Sequence, residues 1–261
     1  MDLNLKGKRA VVCGSTQGIG KAAAIELALL GAHVTLLARE EGKLKEVVKE
    51  LSTHAGQSHD YLVADFNFPV QVKQAIEHSL AKREVHILIN NSGGPPAGQA
   101  IDAQPEDFIK AFTSHLICSQ LLVQAVVPGM KKNAYGRIVN IISTSVKIPI
   151  KGLGVSNTLR GAMASWSKTL SLELASFGIT VNNVLPGSTK TGRIESIIQT
   201  RAEKSGRSPD EIRNEMIAEI PAGRMAEASE VGAVVAFLAS PAAGYINGVS
   251  LLVDGGRTGS L

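Results

Sequence analysis

Cysteine is nearly missing from this chain of 261 residues: only Cys13 and Cys118 occur. Two thiols exclude a disulfide framework, and they form no metal-ligand spacing. Both lie in apolar runs, one strand-like and one helix-like, so buried thiols are expected. Aromatic residues are also scarce, at 4%, whereas Gly reaches 26. That balance suits a tightly turned α/β protein packed with Ala, Val, Leu and Ile. No strong charge of one sign is present. The net charge is +4, and no purely basic run exceeds two residues, as at Lys131-Lys132. A nucleic-acid partner is therefore not expected. No uncharged apolar run reaches spanning length without polar residues or Pro, so no membrane partner is expected either. The first eight residues lack the apolar centre of a signal peptide. Repeats, low-complexity tracts and composition shifts are absent. A cytoplasmic protein with one domain over residues 1–261 follows as the expectation.

What is present is an alternation of short apolar runs and longer helical ones. Strands are expected over Arg9–Cys13, His33–Ala38, Asp60–Ala64, Val85–Asn90, Arg137–Ile142, Ile179–Leu185 and Val249–Val253. Several are near-continuously apolar, as in a parallel sheet covered on both faces. Helices are expected over Gly18–Leu30, Glu41–His54, Val70–Lys82, Pro105–Lys131, Leu153–Phe177 and Ser229–Ala239. The fold class is α/β: a Rossmann-type doubly wound parallel sheet of about seven strands. Residues 187–224 break the rhythm with a charged, partly amphipathic insertion carrying Ile194, Ile197, Ile198, Ile212, Met216 and Ile217. It is expected to form a lid beyond the strand ends, or else a surface that packs on a partner subunit.

The first strand runs into Gly14-Ser15-Thr16-Gln17-Gly18-Ile19-Gly20. Gly14 suits a tight turn, Gly18 a close approach to a pyrophosphate, and Gly20 close helix–strand packing. The following helix N-terminus offers free N–H groups to phosphates. At the tip of the second strand, Arg39 replaces the carboxylate that would favour NAD. The expected cofactor is thus NADP, with NAD as the alternative. Glu40 follows at once, so a local role for Arg39 also stands. Asp65 ends the third strand, where a carboxylate can meet adenine. Asn91, Ser92 and Gly93 follow the fourth, where small residues let backbone lie beside a ribose; turn chemistry explains the same residues.

With these motifs in view, the sequence resembles the short-chain dehydrogenase/reductase family, and its 3-oxoacyl-[acyl-carrier-protein] reductase branch in particular. The resemblance is carried in order by Gly14–Gly20, Asn90–Gly93, Gly136–Ser143, Val181–Gly187 and Gly248–Gly256. It implies that Gly14, Ser15, Gln17 and Ile19 line the phosphates, with Gly18 and Gly20 completing the loop. It assigns Asp65 with Phe66 to adenine, and Asn91, Ser92 and Gly93 to a ribose. Pro186, Gly187, Thr189 and Thr191 would hold the nicotinamide side. It also implies a homotetramer built on the small-residue helix Leu153–Phe177 and the C-terminal Tyr245–Gly256, although intrachain packing accounts for the same composition.

The catalytic positions depart from the family. Its Ser is present as Ser143, but its Tyr and Lys positions hold Ser156 and Arg160, and its Asn aligns with His115. A serine hydroxyl is a far weaker acid than a Tyr activated by Lys. Arg160 could contact the nicotinamide ribose and stabilise an alkoxide, but it passes on protons poorly. His115 could supply a proton, or could be a helix histidine satisfied by a neighbour. Three readings follow. The first is NADP(H)-dependent hydride transfer to or from a carbonyl or alcohol substrate, an acyl thioester among the candidates, through Ser143, Ser156, Arg160 and His115. The second is a catalytically impaired dinucleotide sensor or partner subunit. The third is a scaffold without ligand. No metal is expected.

Overall fold

The computed structural model describes residues 1–80 and 83–260. Seven strands form one sheet: β1 (Arg9–Cys13), β2 (His33–Ala38), β3 (Asp60–Val63), β4 (Ile87–Asn90), β5 (Gly136–Ile141), β6 (Ile179–Pro186) and β7 (Ser250–Val253). Their order is β3-β2-β1-β4-β5-β6-β7, and every pairing is parallel. The chain runs outward from β1 to β3, returns to β4 beside β1, and continues the other way. The crevice between β1 and β4 is the switch point at which such sheets bind ligands.

Strand alternation explains the near-continuous apolar runs. Ala10 and Val12 face one core, while Val11 and Cys13 face the other. Helices α1 (Gly18–Leu29), α2 (Glu41–Glu50) and a C-terminal helix over Ala228–Ala239 cover the first face. On the second face lie α3 (Pro69–Leu80), α5 (Cys118–Lys132) and α6 (Gly154–Leu174). Helix α4 (Pro105–Phe112) leads into α5 and packs with α6 through Ala111, Val155, Leu159 and Met163. The continuous run Pro105–Lys132 is long and apolar enough to cross a membrane by length and composition. Here its residues Cys118, Leu122, Val126 and Met130 are buried against the sheet.

Some boundaries differ from the sequence reading. The expected helix Glu41–His54 stops at Glu50, because Leu51 turns extended with ψ 135°. Gln57 then organises the connection, donating to the Ala28 and Ser52 carbonyls and accepting from Ala55 N–H. The expected helix Val70–Lys82 runs from Pro69 to Leu80; Lys82 lies outside the described residues. The expected single helix Pro105–Lys131 contains a π-helical turn over Thr113–Ile117. Such wide turns leave no periodic mark in sequence and often occur at functional sites.

Residues 187–224 fold as two helices, α7 (Gly192–Ser205) and α8 (Pro209–Ala218), which leaves the C-terminal helix as α9 (Ala228–Ala239). Ile194, Ile198, Ile212 and Met216 form a small core of their own there. Thr191 caps α7, and Ser208 with Glu211 forms a capping box on α8. Arg213 of α8 clasps Glu195 of α7 through two bonds of 2.8 and 2.9 Å.

A polar row crosses the interior of the sheet. Asn90, Asn140, Asn183 and Ser250 are register partners on β4, β5, β6 and β7. Asn90 Nδ2 donates to Asn140 Oδ1 at 2.8 Å, Asn140 Nδ2 to Asn183 Oδ1 at 3.1 Å, and Asn183 Nδ2 to Ser250 Oγ at 3.2 Å. The row recovers most of the hydrogen bonds these amides lose from water, and leaves Asn90 Oδ1 buried without a partner.

Candidate active site

A cleft of about 500 Å³ opens at the carboxyl ends of the strands. Its floor begins with the loop after β1. Gly14 and Gly18 both take φ +58°, a left-handed conformation that costs glycine little. A Cβ at Gly20 would overlap the Gly14 carbonyl, so the loop folds tightly onto α1. Gln17 N-caps α1 without a side-chain hydrogen bond, leaving the first-turn N–H groups directed toward the cleft end of the helix. This arrangement fits the diphosphate of a dinucleotide.

Gly14, Gln17, Gly18, Ile19, Arg39, Asp65, Phe66, Asn91, Ser92, Gly93, Pro186, Gly187, Thr189 and Thr191 all line the cleft. Ser15 and Gly20 do not. The Ser15 hydroxyl is fully buried and accepts from Leu37 N–H at 3.1 Å, tying the loop to β2. Arg39 stands exposed at the β2 tip. Its neighbour Glu40 pairs with Lys43 at 2.8 Å, so Arg39 has no ion-pair partner among the described residues. Asp65 Oδ1 accepts from both nitrogens of Asn67 at 2.9 Å, holding the turn after β3. Asn91 Nδ2 donates to the Cys13 and Gly14 carbonyls and fastens β4 to the glycine loop.

At the other end, Ser143, Ser156 and Arg160 line one wall. Ser143 Oγ caps a short 3-10 turn by accepting from Ser145 N–H at 3.1 Å, which leaves its own proton free to donate. Ser156 and Arg160 lie one turn apart on α6 and so share a face. Arg160 is 8% exposed, donates from Nη1 to the Ile141 carbonyl at 3.2 Å, and leaves Nε buried without a partner. Burial and the charge of Arg193 lower its pKa to about 10, so it remains a cation at neutral pH.

His115 does not line the cleft; its neighbour Ser114 does. The π turn carries the imidazole behind the wall, 3% exposed, where Nδ1 lies 2.6 Å from Ser92 Oγ. Burial, with the charge of Arg160, pushes its pKa down to about 3. The ring is neutral at pH 7 and holds no imidazolium proton to give. The three tyrosines stand elsewhere: Tyr61 bonds Glu41, Tyr135 bonds the Ala239 carbonyl, and Tyr245 is exposed.

Sequence reasoning missed Ser114, Arg193 and Arg201 as lining residues. The signal for the two arginines was available. Arg193, Ile197 and Arg201 recur every four residues on α7 and therefore share its cleft side.

A family profile described as enoyl-(acyl carrier protein) reductase matches residues 14–258. The chain is 33% identical over 255 residues to the 3-oxoacyl-[acyl-carrier-protein] reductase of Escherichia coli strain K12, covering 97% of this chain and 98% of that one. The chain belongs to the short-chain dehydrogenase/reductase family. Among solved structures of its relatives, L-sorbose reductase from Gluconobacter frateurii, complexed with NADPH and L-sorbose, superposes with a TM-score of 0.93 at 28% identity and full coverage of both chains. An actinorhodin polyketide ketoreductase with NADPH gives 0.90 at 30% identity, covering 97% of this chain and 98% of that one. These short-chain dehydrogenase/reductase relatives share the seven-stranded doubly wound architecture described above.

Proposed function

We propose that the protein is an NADP(H)-dependent oxidoreductase that moves a hydride between nicotinamide and a carbonyl or alcohol substrate through a divergent catalytic set. The observation that carries this reading is the convergence of Ser143, Ser156 and the buried, uncompensated Arg160 on a cleft whose nucleotide end is complete. When bound, the nicotinamide supplies the hydride. Gly14, Gln17, Gly18, Ile19 and the α1 N-terminus hold the diphosphate, and Arg39 meets the 2′-phosphate; relatives solved with NADPH support this choice over NAD. Asp65 and Phe66 flank adenine, while Asn91, Ser92 and Gly93 lie beside a ribose. Pro186, Gly187, Thr189 and Thr191 hold the nicotinamide side.

Ser143 donates its free proton in a hydrogen bond to the reacting oxygen, and Ser156 helps orient it. Arg160 takes the position of the family's Lys, reaches the ribose, and stabilises negative charge developing on that oxygen. Neither serine nor the guanidinium gives up a proton readily at neutral pH. The final proton therefore comes from water in the cleft. His115 is a positioning residue here: it holds Ser92 against the cofactor strand rather than acting as an acid.

Helices α7 and α8 serve as a lid over the substrate end, since Ile194, Ile197 and Met216 project into the cleft from them. A homotetramer fits the exposed apolar Leu172 and Phe177 at the end of α6 and Leu251 on the edge strand β7. A cytoplasmic setting fits two buried free thiols. An acyl thioester remains a candidate substrate on the strength of the 3-oxoacyl reductase relatives.

The test is a carbonyl-substrate screen that follows NADPH oxidation, with Ser143→Ala and Arg160→Ala alongside. Ser143→Ala should lower kcat with little change in NADPH affinity, whereas Arg160→Ala should lower kcat and also weaken NADPH, because its guanidinium reaches the ribose. Equal rates in all three proteins remove the residue assignment. The missing Tyr supports a second reading, a dinucleotide-binding sensor. Tight NADPH binding, no turnover on any carbonyl, and a nucleotide-dependent change in partner binding would favour it.

A further inference from the structure

The substrate half of the cleft differs in charge from the nucleotide half. The carboxylates that line the cleft, Glu40 and Asp65, both belong to the β2 and β3 tips. At the lid end the charged side chains that line the cleft, among the described residues, are cations: Arg160 on α6, Arg193 and Arg201 on α7, and Arg257 beyond β7; the lid's carboxylates, Glu195 among them, do not line it. Arg257 is neutralised by Glu219. No carboxylate pairs with Arg160, Arg193 or Arg201 among the described residues.

Burying a guanidinium without a counter-charge is costly, and a second cation nearby adds to the cost. Arg160 bears both penalties, with Nε orphaned at the cleft wall. Arg193 is held in place rather than loose: Nη2 donates to the Pro95 carbonyl at 2.7 Å, and its guanidinium lies over Gly94, where an added Cβ would sit 3.4 Å from Nη2. Its remaining N–H groups are free. Arg201 stands two turns further along the same face of α7, with Ile197 between them. The three arginines share the cleft lining with the aliphatic Ile150, Ile197 and Met216, and Ile197 lies between Arg193 and Arg201 on α7.

We propose that this half of the cleft binds an anionic oxo compound, whose carboxylate or phosphate is held by Arg193 and Arg201 while its carbonyl oxygen faces Arg160 and Ser143. The inference rests on the oxidoreductase reading and narrows it to a substrate class. A fixed guanidinium recognises either oxyanion through paired, charge-assisted bonds. A short aliphatic spacer between the anion and the carbonyl would rest on Ile197. The missing counter-charge is then the substrate itself, and its arrival relieves the repulsion between Arg160 and Arg193.

The experiment measures binding, so it does not depend on turnover. Calorimetry on the full chain saturated with NADP⁺ compares levulinate with methyl levulinate, and 2-oxopropylphosphonate with its dimethyl ester. One anion should bind at least about tenfold more tightly than its ester, and the pair that shows the difference identifies the charged group. Arg193→Gln and Arg201→Gln should each remove most of that difference. Equal affinity of anion and ester in both pairs, or no binding of either anion, overturns the proposal. So does a tenfold loss of NADPH affinity in Arg193→Gln, which would assign that arginine to the cofactor. Anion binding without hydride transfer would instead strike the oxidoreductase reading. If NADP⁺ itself does not bind, the same comparison on the nucleotide-free protein still reads the anion site.

Discussion

His115 Nδ1 and Ser92 Oγ stand 2.6 Å apart, and this contact joins the π turn to the loop after β4. The imidazole is neutral at pH 7 because its pKa falls from the ordinary 6.5 to about 3. Below pH 6.5 the unfolded chain takes up a proton that the folded chain refuses. The contribution to stability is therefore complete above pH 6.5 and declines as pH falls toward 3. Between pH 6.5 and about 5, where carboxylates remain ionised, wild type should lose on the order of 1 kcal/mol per pH unit more than His115→Gln. Urea unfolding at several pH values checks this. Parallel pH dependence in the two proteins would falsify the assignment.

Arg160 should carry a stability cost. Arg160→Met removes a buried, unpartnered charge and keeps much of the side-chain volume. The free protein should gain about 1–2 kcal/mol, read as a higher denaturation midpoint. Hydride transfer should fall about a hundredfold or more in the same variant, because the oxyanion loses its cation. A variant that is both less stable and equally active contradicts both halves of the argument.

Placing a phenol at position 156, where the proposed alignment puts the family's acid, should change the pH profile rather than simply the rate. Ser156 and Arg160 share the cleft face of α6, so Ser156→Tyr with Arg160→Lys places a phenol and an ammonium there together. The wild-type kcat profile should show no ionisation of an active-site acid between about pH 6 and 9, whereas the double variant should acquire one. An unchanged profile would mean that the new phenol does not reach the reacting oxygen.

In the proposed reading, Arg39 sets the choice of nucleotide. Replacing Arg39 with Ala should weaken NADPH about ten- to a hundredfold and leave NADH within about twofold, since only the former carries the 2′-phosphate. Nicotinamide fluorescence titrations of both nucleotides give the answer directly. A similar loss for both would point to a structural role at the β2 tip.

Gly20→Ala tests the nucleotide loop. The added methyl would overlap the Gly14 carbonyl and approach Asn91 Nδ2 at 2.6 Å. The loop must shift, at a cost of about 1–3 kcal/mol, and NADPH binding should weaken with it. Thermal denaturation with and without NADPH separates the two effects: the shift that the nucleotide produces should shrink more than the midpoint of the free protein falls.

Much of this was legible beforehand because local chemistry dictates it. Apolar runs such as Arg9–Cys13 can be buried on both faces only in a covered parallel sheet. The glycine spacing before α1 has few structural uses besides the turn it forms. The position of His115 was not legible. One extra residue in a helical turn rotates everything that precedes it, and sequence periodicity averages over that rotation. Ser15 was misread for a related reason: its loop lines the cleft, but its own hydroxyl turns to Leu37 N–H. Arg193 and Arg201 had the spacing of one helix face, yet they lay among other charges, and only the placement of α7 shows which face meets the cleft.

The asparagine row has a consequence for how the protein can change. Donation runs one way along it, from Asn90 through Asn140 and Asn183 to Ser250. Each amide's orientation is set by the neighbour before it, so the row acts as a counting device that fixes how far each strand has advanced when it reaches the cleft. Deleting one residue within β5 would put Asn140 out of step with both neighbours at once and break both of its bonds along the row, leaving only Asn183 to Ser250. Lengthening the connection between α7 and α8 would disturb none of them. Changes of length are therefore tolerated between these two helices and excluded from the strands beneath them.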